Sequence, residues 1–488
     1  MKKRFAICST IVLLLLLSAC GAPQTLDFSY APEGEELSSL MVETSQTHRA
    51  ELEHVPSAAD FADAISDDPA SAGLLSENEV ESLLRGHAAM ETVSKEQAQS
   101  DVSLLFRTLQ SAYGAYEYFG QEKFDAAEDA VTQWLSSQDD EIKVSALGEK
   151  LQESLAFMLA HDAHAVIYEP AAEEIEAQVR YEYFFADGFY FSKDVNGSYY
   201  MVNDGERWTL SSFSDEHVSV QPTLLQDGRI VYQPTLFALR KDAVQSSVTL
   251  KNSSGKAKIY RLDWTESQPL DVDLGTLDYR LIQEDGLTYV SLRSFVSGTY
   301  DNMLARYARE GAKARGSKAV IYDLRGNVGG SDSWPRKWIQ SFLGTQNSIE
   351  TSMLYAQKNS ALFAAENSES LLPEDEGTCF AREVHGTWYE NDIPIIVLVD
   401  DHCGSSGEGA VQLLKTLDNV LIVGSNTAGY QLCGNISTFT LPYVDHRGYA
   451  PDVWCDPQDA LASVLALLKE QGVVSADACE TVREKIVK

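Results

Sequence analysis

The sequence predicts a multidomain α/β protein, with an α/β core, an N-terminal helical domain before it and an inserted β-rich module between the two. Three observations predict this. From about Leu277 short apolar strand runs alternate with helical runs, from about Ser76 the apolar residues recur at helical spacing, and between the two lie aromatic strand runs punctuated by turn pairs. The length of 488 residues suits roughly two to four domains. With 44% hydrophobic and 23% charged residues, composition is near that of ordinary globular chains.

Taken in order, residues 1–19 read as an export signal. Lys2, Lys3 and Arg4 form a basic start, and Ile11 to Leu17 is an apolar run too short to span a bilayer. Leu17-Ser18-Ala19-Cys20 follows and resembles the bacterial lipobox, which implies cleavage before Cys20 and lipid on its sulfur. Residues 20–75 are acidic and aperiodic, and read as a partly disordered tether. Residues 76–168 read as the helical domain. Val102, Leu105, Phe106, Leu109, Ala112, Tyr113 and Tyr116 share one face of a helix, and Ser94 with Gln97 has capping-box spacing. Further helices are predicted near Lys123 to Leu135 and from about Glu141 to Leu159.

Residues 169–276 read as the β-rich module. Tyr181 to Phe185 and Gly188 to Phe191 are aromatic strand material, and Asn196-Gly197 and Asp204-Gly205 are hairpin turn pairs. Residues 277–488 read as the core. Strands are predicted at Leu287 to Leu292, Ala319 to Leu324, Ile395 to Val399 and Val420 to Val423, and helices at Tyr300 to Arg315 and Gly407 to Leu417. In parallel sheets of this kind ligands bind beyond the carboxyl ends of the strands.

Charge excludes some function classes. The formal net charge is −35, which repels the phosphate backbone, so nucleic acid is not an expected partner. Electrostatic capture of anionic lipid is disfavoured on the same ground, whereas a covalent lipid anchor is not. Of seven cysteines, Cys8 leaves with the signal and Cys20 would carry lipid. Cys379, Cys403, Cys433, Cys455 and Cys479 remain, an odd set without CxxC spacing, so a cysteine zinc site is not expected and the pairing stays open.

Two segments can carry chemistry. In Pro394-Ile-Ile-Val-Leu-Val-Asp-Asp-His-Cys-Gly-Ser-Ser-Gly-Glu-Gly409 a buried strand meets a tight turn and then a helix. A hydroxyl at that turn, Ser405 or Ser406, is exposed beside the free N–H groups of the helix start, a favourable place for a nucleophile and its oxyanion. The same serines could equally serve only as helix caps. In Ala319-Val-Ile-Tyr-Asp-Leu-Arg-Gly-Asn-Val-Gly-Gly330 a strand runs into a glycine-rich loop whose amides can approach a ligand closely. It lacks the endings of a phosphate loop.

Together these segments resemble the family of C-terminal-processing and tricorn-core serine peptidases, which also contains retinoid-binding relatives. Four motifs carry the resemblance, in the family's order: Asp323-Leu-Arg-Gly-Asn-Val-Gly-Gly330, Ser405-Ser-Gly-Glu408, Leu421-Ile-Val-Gly-Ser-Asn-Thr-Ala-Gly429 and Gly448-Tyr-Ala-Pro-Asp452. The resemblance implies a layered ClpP/crotonase-like core and covers roughly residues 277 to 470. It implies Ser405 as nucleophile, the Ser406 amide as one oxyanion donor and Gly329 or Gly330 as the other. Branches with a Ser-Lys dyad carry lysine where this chain has Tyr430. The tricorn-like branch uses a histidine before the inserted module, and Leu159-Ala-His-Asp-Ala-His-Ala-Val166 places His164 there. A neutral imidazole suits the role of general base. The acid expected behind the ring is Asp445, one methylene shorter than the family's glutamate, with Asp162 as an alternative, and Ala163 stands where the branch has serine. His402 is near Ser405 in sequence but less well placed, and His161 with His164 lacks a third metal ligand.

The expectation is an exported, membrane-anchored serine endopeptidase of the bacterial cell envelope acting on peptide or unfolded protein, without cofactor or metal. The alternative is a catalytically weak or inactive peptide- or ligand-binding lipoprotein on the same scaffold.

Overall fold

A computed structural model describes residues 33–64, 75–85, 90–162, 164–165, 167, 181–186, 188–203, 205–239, 246–266, 270–274, 276–298, 300–366, 371, 375–430, 438–441 and 449–487. Its helices include α1 (Leu37–Glu53), α2 (Lys95–Ala112), α3 (Gln121–Ser136), α4 (Val144–Ser154), α5 (Asp301–Ala314), α6 (Ser333–Leu343), α7 (Ser406–Leu414), α8 (Ala460–Glu470) and α9 (Ala476–Val487). Ten strands make the central sheet: β1 (Tyr181–Ala186), β2 (Val218–Leu224), β3 (Ile230–Leu239), β4 (Trp264–Glu266), β5 (Arg280–Glu284), β6 (Leu287–Ser291), β7 (Ala319–Asp323), β8 (Ile395–Val399), β9 (Val420–Gly424) and β10 (Val453–Trp454).

Their order across the sheet is β4-β1-β3-β2-β10-β9-β8-β7-β6-β5. The six strands from β2 to β6 run parallel, and antiparallel strands close both edges. Parallel strands are buried on both faces, which is why they read as unbroken apolar runs. Val320, Tyr322, Ile395, Val397, Val420 and Ile422 pack against α5, α6 and α7 on one face. Ala319, Ile321, Ile396, Leu398, Leu421 and Val423 pack against α1, α8 and α9 on the other. This is the expected α/β core, and the four core strands and two core helices read from sequence lie within a few residues of their predicted ends.

Three expectations need correction. The stretch assigned to a tether contains α1, whose Leu37, Leu40 and Met41 are buried in the core beneath β9 and α8. Its docked face also carries Thr44, Ser45 and His48, and His48 Nε2 lies 3.0 Å from Asp452 Oδ1. A face half made of polar residues leaves little apolar signal to read. The β-rich module is likewise not a separate body. Its strands β1 to β4 extend the central sheet, because β2 pairs in parallel with β10 from the far end of the chain. Strands Ser192–Lys193, Tyr199–Asn203, Glu206–Phe213, Ser246–Asn252 and Ala257–Leu262 form a second sheet packed over β1, β2 and β3. Gly188 to Phe191 is a turn rather than a strand, with only Phe191 bridged to Tyr232. Finally, the helix expected from Glu141 opens as a short strand, Glu141–Lys143, paired with Thr92–Ser94, and the helical path breaks at Leu155.

The helical domain keeps its predicted devices. Ser94 accepts from the Gln97 N–H at 3.2 Å while the Gln97 side chain takes the Ser94 N–H at 2.9 Å, closing the capping box. Val102 and Phe106 of α2 pack with Phe124, Val131 and Leu135 of α3. The same cluster includes Leu354, Ala356 and Cys379, from a three-stranded sheet of Met353–Lys358, Cys379–Val384 and Thr438–Leu441. That sheet, absent from the sequence reading, anchors the helical domain to the core. Lys358 secures it, fully buried with Nζ 2.6 Å from both the Gln110 carbonyl and Glu117 Oε1. Among the described residues no helix is long and apolar enough to cross a membrane.

Candidate active site

The carboxyl ends of β7, β8 and β9 release three loops to one place. After β8 the chain turns through Gly404 and Ser405 into α7. Ser405 has φ +52° and ψ −122°, a conformation costly for a residue with a side chain. Its side chain makes no capping hydrogen bond, so the capping alternative does not describe it. It is half-buried, with part of its surface open. The Ser405 carbonyl takes the Gly409 N–H at 2.9 Å, fixing the turn to the helix.

After β7 comes the glycine-rich loop. Asn327, fully buried, binds it to the serine turn, since its carbonyl accepts from the Gly404 N–H at 2.9 Å and its Nδ2 donates to the Leu292 carbonyl at 2.8 Å. Gly329, at φ +99°, passes so close that an added Cβ would sit 2.6 Å from Ser405 Cβ and 2.9 Å from the Ser406 nitrogen. Only glycine permits this approach. The Gly329 N–H itself donates to Asn327 Oδ1 at 2.9 Å, so it is not presented to a substrate in this conformation, contrary to the role expected for it. Gly330, at φ +139°, lies against the Phe295 backbone. Among the described residues no acceptor takes the amide of Ser406, the first residue of α7, nor that of Gly330.

The base of this loop is an ion cluster. Asp323 is fully buried, accepts from Tyr289 Oη at 2.9 Å, and is held by Arg325 at 2.6 Å and Arg293 at 3.2 Å. Burial alone would raise its pKa, but the two guanidiniums outweigh burial and hold the carboxyl far below the usual carboxylate range. Arg325 also donates to the Pro457 carbonyl.

After β9 the third loop carries Tyr430. Glu408, fully buried on α7, gathers that loop by accepting from Thr427 Oγ1 at 2.5 Å and from the Gly429 and Tyr430 N–H groups at 2.7 and 2.8 Å. Its position in Ser405-Ser-Gly-Glu408 was visible in the sequence, its role was not. The Tyr430 ring then lies against Gly404, where a Cβ would meet it at 2.6 Å. The His164 ring meets it edge-on, with centroids 4.8 Å apart. The chain thus brings His164 and Gly404 into contact with one tyrosine ring.

Asp162 holds the segment before His164. One of its oxygens accepts the His164 N–H at 3.0 Å and the other the Tyr113 hydroxyl at 2.7 Å. It therefore positions the backbone carrying the imidazole, which is exposed. His161 instead stacks on Phe119 in the helical domain, centroids 6.2 Å apart. Asp400, Asp401 and His402 have ligand atoms within 4.8 Å of one another, but Asp400 is committed to the Gly326 and Leu270 N–H groups at 2.8 and 3.2 Å. Asp445 and Cys20 lie outside the described residues.

A strand-turn-helix serine set against a glycine-rich loop is an arrangement that suits a serine nucleophile. Residues 286–445 match the model of Peptidase family S41, so the α/β core is similar to that of this serine peptidase family. Among solved structures, mature CPAF is 13% identical, with 78% of this chain and 98% of that one covered and a TM-score of 0.41. The photosystem II D1 C-terminal processing protease is 14% identical (79% and 99% covered, TM-score 0.33). The tricorn protease is 13% identical (81% and 37% covered, TM-score 0.33). No curated protein matches the chain.

Proposed function

We propose that this chain is an exported, lipid-anchored serine endopeptidase working by Ser405 and His164. The observation that carries the reading is the strained, part-exposed Ser405 clamped between Gly329 and Gly404, with Tyr430 joining that turn to His164. As Ser405 Oγ bonds to the substrate carbonyl carbon, its proton passes to the imidazole. The amides of Ser406 and Gly330 face the developing oxyanion. The imidazolium returns the proton to the leaving amine as the C–N bond breaks, and water then hydrolyses the acyl-enzyme. Asp445 is the acid expected behind the ring, by its place before Gly448-Tyr-Ala-Pro-Asp452.

The test is labelling by a serine-reactive fluorophosphonate. The wild-type protein is expected to label, and His164→Ala to label about a thousandfold more slowly, with partial recovery on adding imidazole, since the site of the ring is open to solvent. A wild-type protein that does not label would favour the binding lipoprotein. Equal labelling rates for wild type and His164→Ala would remove the histidine.

The anchor rests on Leu17-Ser18-Ala19-Cys20. Mass spectrometry of the membrane-extracted protein should find Cys20 as the N-terminus bearing acyl chains. A peptide spanning residues 17–23 with a bare thiol would refute the anchor.

A further inference from the structure

A cavity of about 350 Å³ opens at the carboxyl ends of β2 and β10, beside the start of α8. Its place relative to the serine follows from sheet register. Val399 of β8 lies opposite Gly424 of β9, Gly424 opposite Trp454 of β10, and Trp454 opposite Thr223 of β2. Three strand spacings make about 14 Å between the end of the nucleophile strand and Thr223. An extended peptide covers that distance in about four residues.

The lining has one chemical character. Asp456 and Asp459 supply carboxylates, Phe185, Tyr190 and Trp454 supply aromatic surface, and among the described residues no lysine or arginine lines the cavity. Thr223 is 7% exposed, and its hydroxyl lies in the wall with no hydrogen-bond partner among the described residues. A buried unpaired hydroxyl costs about 1–3 kcal/mol, so an occupant that pairs with it recovers that cost. Asp456 is exposed at the cavity mouth and accepts the Gln458 N–H at 2.9 Å, and its pKa is raised by partial desolvation and then by the neighbouring Asp459. Asp459 is met by Gln226 Nε2 at 2.5 Å, a neutral donor that leaves its charge in place. Acceptors, carboxylates and aromatic faces together suit an ammonium or guanidinium with an apolar stem.

We propose that this cavity is a specificity pocket for a lysine or arginine side chain of the substrate, about four residues from the bond cleaved. The inference rests on the peptidase reading above. The pocket is mechanically tied to the oxyanion loop, because the Pro457 carbonyl between the two aspartates accepts from Arg325, the partner of Asp323. A filled pocket therefore bears on the strand end from which Gly329 and Gly330 emerge.

The experiment uses the full chain and internally quenched peptides carrying lysine or norleucine at single positions three to five residues from the scissile bond. Wild type should cleave the lysine peptide at one such position with kcat/KM at least about tenfold higher, mainly through KM. Asp456→Asn/Asp459→Asn should erase the preference while norleucine peptides are turned over as before, and Thr223→Val, which keeps side-chain shape, should reduce it several-fold. Equal kcat/KM for the two peptides in wild type, or a preference surviving in the double variant, overturns the pocket. If wild type cleaves neither peptide, the peptidase reading fails separately, and anisotropy of fluorescent lysine and norleucine peptides decides the pocket: tighter lysine binding, lost in Asp456→Asn/Asp459→Asn, supports it, and equal binding of the two overturns it. Competition by cadaverine with no lysine-over-norleucine difference would identify a site for free amines and overturn the peptide assignment.

Discussion

Ser405→Ala is expected to lower kcat on a cleavable peptide by about 10⁵-fold or more and to abolish fluorophosphonate labelling, while leaving the thermal midpoint close to that of wild type. Loss of the attacking oxygen removes the covalent route altogether, and what remains is binding and the oxyanion amides. The stability half of the expectation comes from the backbone. Alanine keeps the Cβ and with it the strain of φ +52°, and the hydroxyl makes no capping bond whose loss could destabilise α7. Ser406→Ala separates the two serines, because Ser406 contributes its amide rather than its side chain. It should label within a few-fold of wild type. Labelling of Ser405→Ala at the wild-type rate would exclude Ser405 as the nucleophile.

The largest stability effect is expected at Asp323. Replacing it by asparagine leaves Arg293 and Arg325 buried against a neutral group, and breaking a buried pair from one side costs about 3–5 kcal/mol. The pH dependence has a definite sign. The folded-state pKa of Asp323 is depressed, so its contribution is complete above the unfolded-state pKa near ~4 and is lost as pH falls toward the folded value. Urea midpoints measured from pH 7 down to pH 3 should decline in wild type below about pH 4, and Asp323→Asn should start lower and lack that share of the slope. Midpoints unchanged by the substitution at pH 7 would refute the account. Activity should fall with stability, since Arg325 and Asp323 form the base of the glycine-rich loop.

What could be read in advance follows a physical division. Ile395 to Val399 and Ala319 to Asp323 were legible because a doubly covered parallel strand must be apolar at every position. The nucleophile turn was legible because strand, turn and helix are contiguous in the chain. Pairings between distant segments left no local trace. Nothing in Val218 to Leu224 announces a partner 230 residues onward, and neither the strand nor its place in the central sheet was read beyond the general β-rich character of the module. The strands at Met353–Lys358 and Cys379–Val384 went unread for a related reason, since their buried residues Leu354, Ala356 and Cys379 pack on the distant helical domain. At the site, Ser405, Ser406 and the Gly329–Gly330 loop could be named from motifs. The hydrogen bond that occupies the Gly329 amide could not, and neither could the way Glu408 gathers Thr427, Gly429 and Tyr430. A glutamate three residues into an otherwise apolar buried helix was the available signal for the latter.

The docking of α1 bears on where this enzyme can work. Were residues 20–75 a free leash from a lipid at Cys20, the catalytic core could sweep a radius of about 190 Å from the bilayer. With Leu37 seated in the core, only the residues between 20 and 37 remain to span the gap, and fully extended they reach about 60 Å. If Cys20 carries the lipid, a molecule moored that closely would meet chains emerging at or lying along the membrane surface at a far higher local concentration than those in the surrounding fluid. Its clientele would then be selected by geography before any pocket is consulted.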